Sequence, residues 1–84
     1  MVVILTNRAT LITDLRSYGE EVLAALIPSV SDAQLKKIGE RGGWHAMHGP
    51  GHKDGSSMLL SKALVLGAIE VLEGTPREPK WKRR

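Results

Sequence analysis

One segment of this 84-residue chain is apolar around most of its circumference, and it limits the folds open to the molecule. Twelve of the fifteen residues 58–72 are apolar or glycine, and only Ser61, Lys62 and Glu70 interrupt them. A membrane span needs about 20 apolar residues. The segment therefore predicts a buried helix over about 56–73, ended by Gly74, and no membrane contact.

The periodicity of the preceding sequence predicts two further helices. Apolar side chains recur three and four residues apart from Leu11 to Leu26, which indicates a helix over about 8–27 with a kink or break near Tyr18-Gly19. The sequence Ser31-Asp32-Ala33-Gln34 has the pattern of a capping box. A second helix is therefore expected over about 31–41, ending at Gly42-Gly43.

These elements predict an all-α fold, a small three-helix domain spanning residues 1–76. Residues 2–5 are apolar and mostly β-branched, and we expect them to form an extended N-terminal arm; whether the arm is a strand stays open. The chain has no cysteine, which fits a reducing compartment. We expect a cytoplasmic protein, since the apolar N-terminus lacks the basic region of a signal peptide.

The positive charge of the chain is concentrated in a predicted flexible tail, residues 77–84. The tail holds five basic residues and one acidic residue, whereas the other 76 residues hold seven basic and eight acidic residues. Cations interleaved with an aromatic ring suit phosphates and unpaired bases. We therefore expect nucleic-acid contact, with DNA and RNA both open, through Lys80, Trp81, Lys82, Arg83 and Arg84. Lys36, Lys37 and Arg41 are expected to extend that surface.

The apolar circumference of the last helix also bears on oligomeric state. Two short partner helices give it little cover, so we expect self-association, most simply as a homodimer. Gly67 and Ala68 would permit close helix approach at that interface. The alternative is that the first helix, the arm and the connector cover the helix within one chain.

The predicted connector, residues 42–55, holds all three histidines and five of the nine glycines. His45, His48 and His52 are spaced three and four apart and are a candidate zinc or nickel site, although they lack the usual helical zinc signature.

The same connector leads into a helix N-terminus, where backbone N–H groups favour anions. His52, Lys53, Ser56 and Ser57 are therefore a candidate phosphate-binding loop. Lys53 precedes Asp54 and Gly55, so the order of a Walker motif is not met.

Taken together, the sequence predicts a small non-enzymatic regulatory or accessory protein that self-associates and contacts nucleic acid. A chain of this size leaves little room for a shielded active site, so no catalytic residue and no cofactor is assigned. A competing hypothesis is a protein–protein interaction module, such as an inhibitor, adaptor or assembly subunit, that uses the last helix and the loop around Trp44. A third is a metal or small-ligand site in the connector.

Overall fold

The structure, a computed structural model, describes residues 4–48, 59–75 and 77–83, with residues 82 and 83 as backbone. It contains helices α1 (Arg8–Ser17), α2 (Glu21–Leu26), α3 (Asp32–His48) and α4 (Leu60–Glu73), with short 3-10 helices at Ile27–Ser29 and Lys80–Arg83. Across these ranges there is no strand. The all-α prediction is confirmed, and the count of three helices is replaced by four.

The predicted first helix is two helices, because a Schellman motif ends α1. Gly19 has a φ of 81°, and its N–H donates to the Arg16 carbonyl at 3.1 Å. The Glu20 N–H donates to the Leu15 carbonyl at 2.8 Å. Glycine adopts this left-handed conformation without strain, so Gly19 stops the helix where the periodicity alone predicts continuation.

The start of α3 agrees with the sequence pattern, but its end does not. The Gln34 N–H donates to Ser31 Oγ at 3.2 Å, and the Ser31 N–H donates to Gln34 Oε1 at 3.4 Å. The predicted stop at Gly42-Gly43 was wrong, since α3 continues to His48.

The glycines of α3 and α4 allow the two helices to approach closely. A Cβ at Gly67 would lie 2.8 Å from both the Gly42 nitrogen and the Ile38 oxygen. A Cβ at Gly42 would lie 3.3 Å from the Leu64 Cα. Packing between the helices therefore requires glycine at position 67 and leaves little room for a side chain at position 42. This tertiary gain overrides the low helix propensity of glycine.

The centre of α4 is covered within one chain. All seven residues from Ala63 to Ile69 are buried, and α1, α2 and α3 supply the covering side chains. The core consists mainly of Leu11, Leu15, Leu23, Ile27, Ile38, Leu64, Val65 and Ile69. Self-association was predicted because this helix was expected to lack cover within one chain. The structure shows that its centre has such cover, so this reason for self-association no longer holds. The predicted first residues of the helix, 56–58, lie outside the described ranges.

The N-terminal residues are extended and held against the helices. The Ile4 N–H donates to the Gly39 carbonyl at 3.2 Å. The Arg8 guanidinium donates to the carbonyls of Ile27 and Val30, each at 2.6 Å. The two Arg8 bonds join the start of α1 to the segment that precedes α3. Residues 2 and 3 of the predicted arm lie outside the described ranges.

Candidate nucleic-acid interface

The C-terminal segment, residues 77–83, is attached to the helical body through a buried carboxylate. Glu20 lies between α1 and α2 and is 1% exposed. Arg77 donates to both of its oxygens, at 2.6 Å to Oε1 and 3.1 Å to Oε2. The Lys80 backbone N–H also donates to Oε2, at 3.1 Å. A carboxylate with three such donors has little hydrogen-bonding capacity left unused.

Arg77 bridges two carboxylates. Its Nε and one terminal nitrogen donate to Glu73 at 2.8 Å each, while both terminal nitrogens reach Glu20. The hydrogen bond from Arg77 lowers the pKa of Glu20, and the same guanidinium lowers the pKa of Glu73. The prediction of a flexible tail beginning at Arg77 is therefore not confirmed, because its first residues are tied to α2 and α4.

The aromatic residue of the segment is packed against the body. The rings of Trp81 and Tyr18 have centroids 4.9 Å apart and are tilted by 59°. The Tyr18 hydroxyl is in turn 2.9 Å from the Ser61 Oγ. Pro79 is buried, and the Lys62 ammonium lies 6.0 Å from the Trp81 ring centroid. Trp81 is thus placed at a defined position beside the end of α1.

A cleft of about 380 Å³ lies between the end of α1 and the C-terminal segment. Its walls are Arg16, Ser17, Tyr18, Gly19, Lys80 and Trp81. These residues include two cations, two aromatic rings and no carboxylate. Among the described parts of the chain, neither Arg16 nor Lys80 forms a side-chain ion pair. The cleft therefore combines positive charge with an aromatic surface.

The other predicted nucleic-acid residues are distributed over the molecule. Lys82 and Arg83 follow Trp81 in the 3-10 turn, and Arg84 lies outside the described ranges. Lys36 and Lys37 are exposed on α3. Lys36 lines a separate groove with residues 4–6, which precede α1, whereas the cleft lies at the end of α1. Ten helical residues, or about 15 Å, separate these two ends.

Arg41, predicted to join the basic surface, is instead part of a cluster between α3 and α4. Its Nε donates to Glu70 Oε1 at 2.7 Å, and its guanidinium carbon lies 4.3 Å from the Trp44 ring centroid. His45 Nε2 bonds to the other oxygen of Glu70. Burial alone would raise the pKa of Glu70, but the bonds from Arg41 and His45 lower it overall.

Sequence reasoning missed Glu70 and Glu20, and it did not single out the cleft residues Arg16 and Tyr18. A signal for Glu70 was present, since it is the lone carboxylate of the mostly apolar segment 58–72 and Arg41 and His45 are four apart, on one face of α3. Glu20 has no comparable signal, because its partner Arg77 is 57 residues away in the chain.

The candidate metal and anion sites are only partly covered by the structure. His45 is buried against Glu70, while His48 is exposed with its ring 6.0 Å from the Trp44 ring. Across the described ranges, no group of three or more metal-ligating side chains occurs. His52 and the rest of the predicted anion loop, Lys53, Ser56 and Ser57, lie outside those ranges.

Within the described residues, every helix is too short or too polar to cross a bilayer. No family model matches the chain, and no curated protein or solved structure matches it either.

Proposed function

We propose that this is a small non-enzymatic accessory protein that contacts nucleic acid through its C-terminal segment. The observation that carries the proposal is the attachment of this segment, through Arg77, to the buried Glu20. The attachment holds Lys80 and Trp81 beside Arg16 at the end of α1. Cations and an aromatic ring therefore share one surface, which is the combination that nucleic-acid backbones and bases favour.

The charge distribution supports binding through phosphates without base-specific recognition. The five basic residues of 77–84 outnumber the one acidic residue, and Arg77 is already occupied by Glu20 and Glu73. The remaining cations are Lys80, Lys82, Arg83 and Arg84, joined by Arg16 at the cleft. Contacts of this kind release counterions, so the affinity falls steeply as the salt concentration rises.

The architecture argues against recognition through a groove-inserted helix. Such a helix presents polar side chains to the base edges. The centre of α4 is buried, and the central α3 residues Ile38, Gly39, Gly42 and Gly43 face the protein interior. Dimerisation is not needed by this proposal, because the centre of α4 is covered within one chain.

The structure determines where the chain should be cut to test the proposal. Ending the chain after Pro76 would remove Arg77 and leave Glu20 buried without its cation. Ending it after Trp81 keeps the Arg77–Glu20 pair and the Trp81–Tyr18 contact, and removes only Lys82, Arg83 and Arg84. The full chain and this shortened chain should be titrated into fluorescently labelled single strands and duplexes of DNA and RNA.

The proposal predicts binding by the full chain that weakens as salt is raised from about 50 to about 200 mM, and much weaker binding by the shortened chain. Circular dichroism should show that both chains have the same helix content. Absence of binding by the full chain at the lower salt concentration would contradict the proposal.

A second candidate function is favoured by apolar side chains at one end of the α3–α4 pair. Met47 is 41% exposed, and Leu59 and Leu60 are 61% and 60% exposed. They lie at the end of α3 and the start of α4, with Trp44 one helical turn before the end of α3. A protein partner docked there would bind in a salt-tolerant manner and would lose affinity in a Leu59→Ser/Leu60→Ser variant.

A further inference from the structure

We propose that the cleft between α1 and the C-terminal segment binds one nucleotide unit of a single strand. Its phosphate lies between Arg16 and Lys80, and its base packs against Trp81. This inference rests on the proposed function and adds a preference for unpaired nucleotides. Arg16, outside the basic tail, becomes a binding residue.

The electrostatics of the cleft favour an anion despite the helix end that forms one wall. The C-terminus of α1 carries a partial charge of about −0.5, which opposes a phosphate. The carbonyls of Leu15 and Arg16 are occupied by the N–H groups of Glu20 and Gly19, which reduces this effect. Arg16 and Lys80 both line the cleft, and the positive charge that they retain beside the neighbouring carboxylates exceeds what remains of this partial charge.

The neighbouring carboxylates reduce this positive charge but do not cancel it. Glu20 is adjacent to the cleft residue Gly19, and the charge of Lys80 lies close enough to help lower the pKa of Glu20. Both Glu20 oxygens, however, already accept hydrogen bonds from Arg77. Arg77 also binds Glu73, so the group formed by Glu20, Glu73, Arg77 and Lys80 is neutral as a whole, and Arg16 adds a net charge.

The size and lining of the cleft fit a base with its phosphate. Its volume of about 380 Å³ lies within the range of about 300–1,000 Å³ usual for small-ligand sites. Trp81 and Tyr18 supply aromatic surface to which every base can pack. In a duplex the bases are stacked on each other and cannot enter a cleft, so only an unpaired nucleotide reaches Trp81.

The test compares two single-charge variants of the full chain, one at the end of α1 and one on α3. Arg16→Gln removes a cleft cation, and Lys37→Gln removes an equally exposed cation on α3. Both are titrated, with the unaltered chain, into labelled oligothymidylate and into a duplex of equal length. We expect Arg16→Gln to weaken single-strand binding about tenfold, the combined loss of a phosphate contact and of base positioning. Lys37→Gln should change it less than about twofold, because a cation far from the strand contributes little.

The position of the bound base is read separately, from the indole N–H signals of the two tryptophans in nitrogen-15 NMR spectra. Oligothymidylate should shift the Trp81 signal and leave the Trp44 signal in place. Equal loss in the Arg16→Gln and Lys37→Gln variants, or an unmoved Trp81 signal while the strand binds, would overturn the cleft proposal and leave the proposed function standing. If the unaltered chain binds neither single strand nor duplex, both fall.

Discussion

Arg77 donates to both carboxylate oxygens of Glu20, a residue 57 positions earlier in the chain and 1% exposed. This pair determines where the C-terminal segment lies. It holds the backbone of Lys80 against the junction of α1 and α2, and it brings Trp81 against Tyr18. A segment that would otherwise be a charged chain end is therefore part of the folded surface.

Replacing Arg77 with methionine should destabilise the protein by about 3 kcal/mol. Removing one partner of a buried ion pair costs about 3–5 kcal/mol, and the lower end applies because the Arg77 side chain is 27% exposed. The measurement is the free energy of unfolding from a urea titration followed by circular dichroism. Glu20→Gln/Arg77→Met should regain part of this loss, because the buried charge is removed along with its partner.

Glu73→Gln is the matched control for the ion pair. Glu73 also bonds Arg77, but its side chain is 34% exposed, and exposed pairs contribute at most about 1 kcal/mol. A loss for Glu73→Gln as large as that for Arg77→Met would show that burial of Glu20 is not the source of the stability.

Acid should destabilise the fold through Glu20 and Glu70. Both carboxyls have pKa values below the ordinary 4.5, so their contribution is complete above that value and is lost as the pH falls towards the lowered pKa. Asp14 acts in the opposite direction, because burial raises its pKa. The free energy of unfolding of the unaltered chain should fall below about pH 4.5. Glu20→Gln should show a shallower decline, and an equal decline would exclude a contribution from Glu20.

Gly67→Ala should force α3 and α4 apart. The added methyl group would lie 2.8 Å from the backbone of Gly42 and of Ile38, and backbone atoms cannot move aside as a side chain does. The overpacking cost of about 1–3 kcal/mol opposes the gain of about 1 kcal/mol from alanine's helix propensity. We expect a lower melting temperature. Thr10→Ala, at an exposed site on α1, should raise it slightly, and an unchanged melting temperature for Gly67→Ala would contradict the close helix contact.

The hydrogen bond between Tyr18 and Ser61 should appear as a coupling energy. Tyr18→Phe and Ser61→Ala each remove one partner of the 2.9 Å contact, and each should destabilise the fold by about 1 kcal/mol. In the double variant the loss should be smaller than the sum of the two by about 0.5 kcal/mol or more. Strict additivity of the urea-derived free energies would show that the hydroxyls do not interact.

Local signals in the sequence predicted the parts of the fold that depend on near neighbours. The capping box of Ser31 and Gln34 involves residues three apart, and the structure contains both of its hydrogen bonds. The N-cap of α1 is equally local, since Asn7 accepts from the N–H groups of Ala9 and Thr10, at 2.8 and 3.2 Å.

Features that depend on residues far apart in the chain could not be predicted from local sequence patterns. Gly42 resembles a helix stop until its contact with Leu64 is known. The apolar circumference of α4 indicated self-association because α3 was predicted to end at about residue 41. The observed helix continues to His48 and covers α4 within the same chain. The ordering of residues 77–81 depends on Glu20, which no periodicity connects to Arg77.

The most direct test of the central claim compares two pairs of charges in binding to a labelled single strand. Lys82→Gln/Arg83→Gln removes two cations from the C-terminal segment, and Lys36→Gln/Lys37→Gln removes two exposed cations from α3. The logarithm of the binding constant should fall linearly with that of salt, and each lost phosphate contact should reduce this slope by about 0.7. We predict a reduction of about 1.4 for the Lys82/Arg83 variant and almost none for the Lys36/Lys37 variant. Equal slopes for both variants and the unaltered chain would contradict nucleic-acid contact through the C-terminal segment.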